Sequence, residues 1–300
     1  MELIRPDVNI DFVRYTKSAA FVSLVFILAG LISIWFRGGL NYGVDFTGGI
    51  VVHVKFTQPT SIAEIRQALG VTDIVNVTVQ DFGQGGNEFL IRMPTVEGDV
   101  ASLSEQVQQG LLTQFGTQAF EIRRVEAVGP KVGKDLRRKA LLAVLFATIM
   151  MGVYIALRFE LRFGIGALIA LIHDVLITLG ALSLMALELD LTVVAALLTI
   201  VGFSVNDTVI VCDRIRENMR KLRRDSLATI INRSLNDTLS RTIITNGTAL
   251  ITVLVLFVLG GEVIHAFAFA LLVGFIAGTY SSIYIASPIV LFWGEKGRRR

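Results

Sequence analysis

Six long apolar runs constrain this chain more than any other feature. Windows free of Asp, Glu, Lys and Arg extend from Ser18 to Phe36, Ala140 to Leu157, Thr242 to Gly261 and Ala266 to Gly294. Each has roughly 18 residues or more, enough to cross a hydrocarbon core of about 30 Å as a helix. Two further windows, Phe163 to Leu187 and Leu191 to Cys212, are equally long but enclose His173 and Asp174 in the first and Asp207 in the second. The sequence therefore predicts six transmembrane helices over 18–36, 140–157, 163–187, 191–212, 241–261 and 266–293, with an N-terminal segment 1–17 and a basic tail 294–300. Composition agrees: 53% of residues are apolar, 18% are charged and mean hydropathy is +0.65, which excludes an ordinary soluble domain of this size. The first run is too long for a removed signal peptide and lacks the small-residue cleavage site, so it is expected to be retained.

Orientation follows from Lys and Arg beside the short loops. The loops Glu188–Asp190 and Gly260–Glu262 contain none, whereas Arg158–Arg162 holds two, Asp213–Arg241 eight and Glu295–Arg300 four. Both termini and the segment 213–240, read as a loop, are thus expected in the cytoplasm. Arg137, Arg138 and Lys139 conflict locally, since they abut the second span on the outer side; long translocated segments largely escape the rule. The net charge of +3 and the pI near 9.1 come mostly from these inner flanks, so no nucleic-acid partner is implied. The single cysteine, Cys212, excludes an intrachain disulfide.

Residues 37–139 read differently, as a water-soluble domain lying on the periplasmic side. Ile50, Val52, Val54 and Phe56 alternate with polar or exposed positions, which places them on one face of a strand ended by Pro59. Ser61 and Glu64 form a capping-box pattern opening a helix with Ile62, Ile65 and Leu69 inside and Gly70 at its stop. Val75, Val77 and Val79, a turn through Gly83, Gly85 and Gly86, and then Phe89, Ile91 and Met93 predict a hairpin. A second helix carries Leu103, Val107, Leu111 and Phe115, and a last strand lies around Phe120 and Ile122. The order βαββαβ predicts a ferredoxin-like α+β domain inserted between the first two helices of an α-helical polytopic membrane protein.

Chemistry is most informative where polarity is most costly. An ionisable side chain inside a span costs at least about 2.5 to 3.5 kcal/mol and is retained mainly for function. Asp207 is the leading candidate: with the fourth span opening at Leu191 it lies about 25 Å along the helix, flanked by Ser204, Asn206 and Thr208. The blander reading places it at the inner interface. Arg241, Thr245, Thr248 and Thr252 fall on one helical stripe of the fifth span, and Arg241 is a candidate partner for Asp207. A fixed positive charge favours an ionised acid and burial favours a neutral one, so the pair has the makings of a proton switch. Snorkelling of Arg241 to the inner surface explains it equally well. His173 and Asp174, with Thr178 one turn on, fit a buried relay or a simple packing pair. Gly274 and Gly278 form a small-xxx-small pair for close helix packing. No zinc, phosphate-loop or nucleophile-elbow motif is present, so no metal, cofactor or enzymatic activity is expected.

Several stretches are recognisable. Gly43-Val44-Asp45-Phe46-Thr47-Gly48-Gly49 resembles the GxDFTGG signature of the SecD/SecF family, and Val128-Gly129-Pro130-Lys131-Val132-Gly133 resembles its VGPxVG segment. The segment TVVAALLTIVGFSVNDTVIVCDRIREN over 192–218, continued by Ser240-Arg241-Thr242, is similar to the SecF branch of that family. The resemblance covers the whole chain. It implies the resistance-nodulation-division fold, pairing with SecD, and the use of proton flow to help draw secreted chains from the SecYEG channel in the bacterial inner membrane. It also implies that Asp207 and Arg241 belong to the proton pathway; Asn206 beside Asp207 and Thr245 on the Arg241 stripe are secondary candidates from their positions. Gly274 and Gly278 are then expected to be covered by neighbouring helices, SecD's foremost. Asp213, just past the membrane, has a plainer reading in organising the cytoplasmic segment. Three alternatives compete: a proton-coupled small-molecule exporter, an intramembrane aspartyl protease built on Asp174 and Asp207, and a structural assembly subunit that conducts no protons.

Overall fold

The computed structural model describes residues 9–70, 77–82, 86–94 and 100–298. Helix α1 (Thr16–Phe36) leads through a short helix α2 (Val44–Thr47) into strand β1 (Gly49–Phe56). Then come α3 (Ile62–Leu69), β2 (Thr78–Asp81), β3 (Glu88–Pro94), α4 (Val100–Phe115) and β4 (Phe120–Val128). The remainder is helical: α5 (Pro130–Arg158), α6 (Leu161–Leu184), α7 (Leu191–Lys221), α8 (Leu227–Leu259), a 3-10 turn, α9 (His265–Ser281), a π-helical turn (Ser282–Ala286) and α10 (Ser287–Arg298). Six helical runs, with α9, the π turn and α10 counted as one, are long and apolar enough to cross a membrane. The chain is a polytopic helical membrane protein with a small α+β domain.

The sheet is antiparallel with strand order β2-β3-β1-β4, the ferredoxin-like order predicted from βαββαβ. Period-two alternation determines its faces. Ile50, Val52, Val54 and Phe56 are fully buried against Ile65, Leu69, Phe89, Ile91, Met93, Val107 and Leu111. Ser61 and Glu64 close the expected capping box. Val75, Gly83 and Gly85 of the predicted hairpin lie outside the described residues. On the opposite face Glu88 accepts from Lys55 at 2.7 Å and meets His53 at 3.0 Å, and the Lys55 ammonium holds its carboxyl below the usual range.

Burial divides the six membrane helices into two sets. The spans of α6, α7 and α9–α10 are 50%, 56% and 50% buried within the chain, and those of α1, α5 and α8 only 17% each. Three helices therefore form a centre flanked by three whose outer faces meet lipid or another protein. Close backbone approach makes this packing possible. A Cβ added to Gly30 of α1 would lie 2.6 Å from Gly180 Cα of α6. Gly274 and Gly278 are also covered, but by Ile200 and Ser204 of α7 in the same chain. The predicted small-residue contact thus exists and is satisfied internally, which removes those glycines from the surface expected to meet SecD.

The family signatures form the joint between sheet and bundle. Asp45 accepts from the Leu191 backbone N–H at 3.0 Å, satisfying one of the open donors at the start of α7. Phe46 is buried among Leu189, Val193 and Leu197. Gly129 caps α5 and Pro130 occupies its first turn, where a missing N–H costs nothing. Arg137, on the side opposite to the one the charge rule favours, stacks over Tyr42 at 4.8 Å, and Lys139 pairs with Asp135 at 2.8 Å. An Arg92–Glu188 ion pair adds a second tie between β3 and the α6–α7 loop.

At the other end of the bundle the segment 213–240 is helical almost throughout. Helices α7 and α8 continue past their apolar stretches and meet in a short turn, because Asn218 bonds Ser234 and Asp237 at 3.0 Å each and ties the two arms together. The N-terminal segment docks there through Ile10 and Val13 on Asn236 and Asn232.

Candidate membrane proton site

Helix α7 carries both polar clusters of the bundle on one face, Ser204 with Asp207 and Thr208 a turn later. Asp207 is buried. Its Oδ1 accepts from Thr242 Oγ1 of α8 at 2.8 Å, and its Oδ2 is buried with no hydrogen-bond partner among the described residues. Thr208 shares a 2.8 Å hydrogen bond with Ser282 at the π turn, and the hydroxyl of Ser287, the first residue of α10, donates to the Ser282 carbonyl five residues back. Such turns recur at functional positions inside helices.

Arg241 does not pair with Asp207. Successive helical residues are about 100° apart, and it is Thr242 that faces α7. Arg241 is exposed and lines a cavity of about 500 Å³ together with Arg158, Asp213, Arg214, Glu217 and Asp237. Here Arg214 bonds Glu217 at 2.7 Å and Asp237 at 3.0 Å. Lys221 and Arg214 push the Glu217 carboxyl down to about 2. A depressed acid contributes stability above its unfolded value and loses it progressively as pH falls from there through about 2, so this ion-pair group keeps its charges around neutrality. Asn206 and Asp213 are exposed, and Thr245 is half-buried. Two threonines of the Arg241 stripe are satisfied within their own helix: Thr248 and Thr252 donate to the Thr245 and Thr248 carbonyls of α8.

The second cluster surrounds His173 and Asp174, both buried. Asp174 Oδ1 lies 3.1 Å from His173 Nδ1, and its Oδ2 accepts from Ser204 of α7 at 2.6 Å and Ser281 of α9 at 2.9 Å. His173 Nε2 is 3.1 Å from Ser23 Oγ of α1, and its ring stacks near Tyr280. Four helices thus converge on a pair that sequence reasoning located only on α6. Ser23, Tyr280 and Ser281 were not legible as its partners, although the run Tyr280-Ser281-Ser282 inside an apolar span is a signal in hindsight. The two acids share no hydrogen bond: Asp174 faces Ser204 and Ser281, Asp207 faces Thr242. Among the described residues no cluster of metal-binding side chains occurs.

Comparison with known proteins adds the following. The family model described as "Protein export membrane protein SecD/SecF, C-terminal" matches residues 107–296, and that of the "SecD/SecF GG Motif" matches residues 32–60. A protein translocase subunit SecF of Desulfurispirillum indicum is 46% identical, with 95% of this chain and 91% of that protein covered. The SecF of Calditerrivibrio nitroreducens is 47% identical, with 97% and 96% covered. Among solved structures, SecDF from Thermus thermophilus, described as a translocon-associated membrane protein, overlays with a TM-score of 0.84 at 35% identity. The overlay covers 98% of this chain but only 40% of that one. A SecDF structure in a super-membrane-facing form overlays at 0.71 with the same identity.

Proposed function

The chain belongs to the SecF family of protein translocase subunits, and we propose that it couples proton movement across the membrane to late steps of protein export, with Asp207 carrying the proton. The observation that supports this is a carboxylate buried among helices, with one oxygen held by Thr242 and the other without a hydrogen-bond partner among the described residues. A buried acid of that kind is expensive and is retained where its charge must change. Arg241 then acts through space from the neighbouring cavity rather than as a direct ion-pair partner. SecDF from Thermus thermophilus and the super-membrane-facing SecDF structure overlay unequally on this chain, with TM-scores of 0.84 and 0.71, which fits a membrane unit that changes form.

SecD is the partner this reading requires, since the chain spans 40% of the SecDF chains it matches. The exposed Asn206 and Arg241 are polar groups that lipid solvates poorly, and they mark the face that SecD covers. Family membership also supports the SecYEG channel and the emerging preprotein as further partners. The relatives are named as translocase subunits, and no reaction is assigned to this chain. A small-molecule exporter fits less well, because one four-stranded domain offers little to enclose a substrate.

Charge segregation between the two ends of the bundle supports an orientation with the sheet in the periplasm and the α7–α8 hairpin and both termini in the cytoplasm. A reporter active only outside the cytoplasm should work when inserted near Gly85 and fail near Arg223; the reverse pattern overturns this orientation. The site itself is tested by two neighbours on α8. Thr242→Val deprives Asp207 of its hydrogen bond and should reduce gradient-driven export by about tenfold, the equivalent of a charge-assisted bond of roughly 1.5 kcal/mol. Arg241→Lys keeps the charge but not the planar fork. Because Arg241 makes no direct contact with the acid, this change should cost less than Thr242→Val, and a larger loss would restore the direct pair.

A further inference from the structure

Hydrogen-bond direction around His173 can be worked out from an anchor that has only one role. The carbonyl oxygen of Ala19 on α1 can only accept, so the Tyr280 hydroxyl of α9 donates to it. With that proton committed, the 3.2 Å contact between Tyr280 and Ser23 requires Ser23 to donate. Ser23 Oγ must then accept from His173 Nε2, which therefore carries a hydrogen. One gap remains, the 3.1 Å between His173 Nδ1 and Asp174 Oδ1. If it held no proton, two lone pairs would face each other in a buried site. A proton there is shared between a neutral acid with a neutral ring and a carboxylate with an imidazolium. Both descriptions hold one proton more than a neutral histidine beside an ionised aspartate.

We infer that His173 and Asp174 form a proton-loaded clip that fastens α1 to α6 and α9, and that loss of its proton opens the α1 side. When one proton leaves, the neutral ring donates from Nδ1 to the carboxylate and Nε2 is bare. Ser23 must turn its hydroxyl to Nε2, and the Ser23–Tyr280 contact loses its hydrogen. Either that contact parts or Tyr280 abandons Ala19, so in both cases α1 loses a hydrogen bond to α9. The groups presented to the pair by the packed helices are hydroxyls: Ser23 from α1, Ser204 from α7, Tyr280 and Ser281 from α9. Among the described residues no charged side chain of α1, α5, α7, α9 or α10 is in hydrogen-bond contact with it. Asp207, one turn from Ser204 on α7, is the next acid along that helix. Since α1 runs into the α2 joint below the sheet, its release is a route from a membrane proton to the outer domain. That use rests on the proton-coupled reading above, whereas the clip itself does not.

The test uses the full chain assembled with SecD in lipid bilayers and labelled with ¹⁵N-histidine, the His173 signals being those lost in His173→Gln. At neutral pH Nε2 should be protonated; a bare Nε2 with the proton on Nδ1 overturns the inference. In a Cys212→Ser background, spin labels at Phe21 of α1 and Ile276 of α9 should move apart as alkaline pH removes the Nε2 proton. Asp174→Asn places an amide N–H opposite Nδ1 and keeps a carbonyl for Ser204 and Ser281, so it should hold both the Nε2 proton and the label distance constant. A wild-type distance that stays fixed, or an Nε2 proton that never leaves, overturns the clip. Asp207→Asn separates the two proposals: export loses its response to the gradient while the His173 signals and label distance still respond to pH.

Discussion

Replacing Asp207 by asparagine should abolish the response of export to the proton gradient while leaving the chain folded and assembled with SecD. The amide has nearly the same shape, and its carbonyl can still accept from Thr242, so that hydrogen bond survives. Only titration is lost. A membrane potential supplies about 2.3 kcal/mol per elementary charge per 100 mV. One proton crossing can thus bias a two-state equilibrium by several tens of fold. Gradient-driven stimulation of export should fall by that order, to the level seen with the gradient collapsed. Asp207→Glu should retain part of it, because a titratable acid remains, although the extra methylene must displace neighbours in a packed site. Export in inverted membrane vesicles, normalised to complex content, measures all three proteins.

The second large effect is expected at Gly133, in the joint between the two signature segments. A Cβ there would lie 2.9 Å from both Gly48 N and Phe46 O, and these are backbone atoms that cannot swing aside. Gly48 is itself confined: its φ is +77°, and a Cβ would come 2.8 Å from Pro130 Cα. Gly133→Leu should therefore push α5 away from α2 and destabilise the joint by about 3 kcal/mol, the upper end for overpacking. Gly129→Ala is the control, since nothing lies within 4 Å of its added methyl. Limited proteolysis of the purified complex should cleave the Gly133→Leu protein faster between sheet and bundle and treat Gly129→Ala as wild type. Equal protection of both variants would mean that the two signatures do not depend on this contact.

These two sites differ in how far the sequence led to them. The six spans, the inward faces of β1 and α3, and the buried position of Asp207 are written in periodicity and local composition, which need no neighbour to be read. Orientation around a helix axis is another matter. Arg241 and Thr242 are adjacent, and only the placement of α8 against α7 decides which of them reaches Asp207. The expected Arg241 pair was accordingly displaced by a threonine one residue on. Gly274 and Gly278 announced a close contact, but the expected partner, SecD, was wrong: the contact is made by α7 of the same chain. The His173 cluster was the least legible, because Ser23 and Tyr280 are brought to it from helices far apart in sequence. Segment 213–240 looked like a loop for its charges, yet Asn218 and its partners hold it as a helical hairpin.

The central claim, that Asp207 carries a proton across the membrane step, is tested most directly by proton flux. The purified complex with SecD is reconstituted into liposomes containing a pH-sensitive dye, and a pH gradient is imposed. Wild-type vesicles should dissipate it faster than protein-free vesicles, and Asp207→Asn vesicles should match the protein-free rate. Equal dissipation by wild type and Asp207→Asn, at equal protein content, would contradict the account.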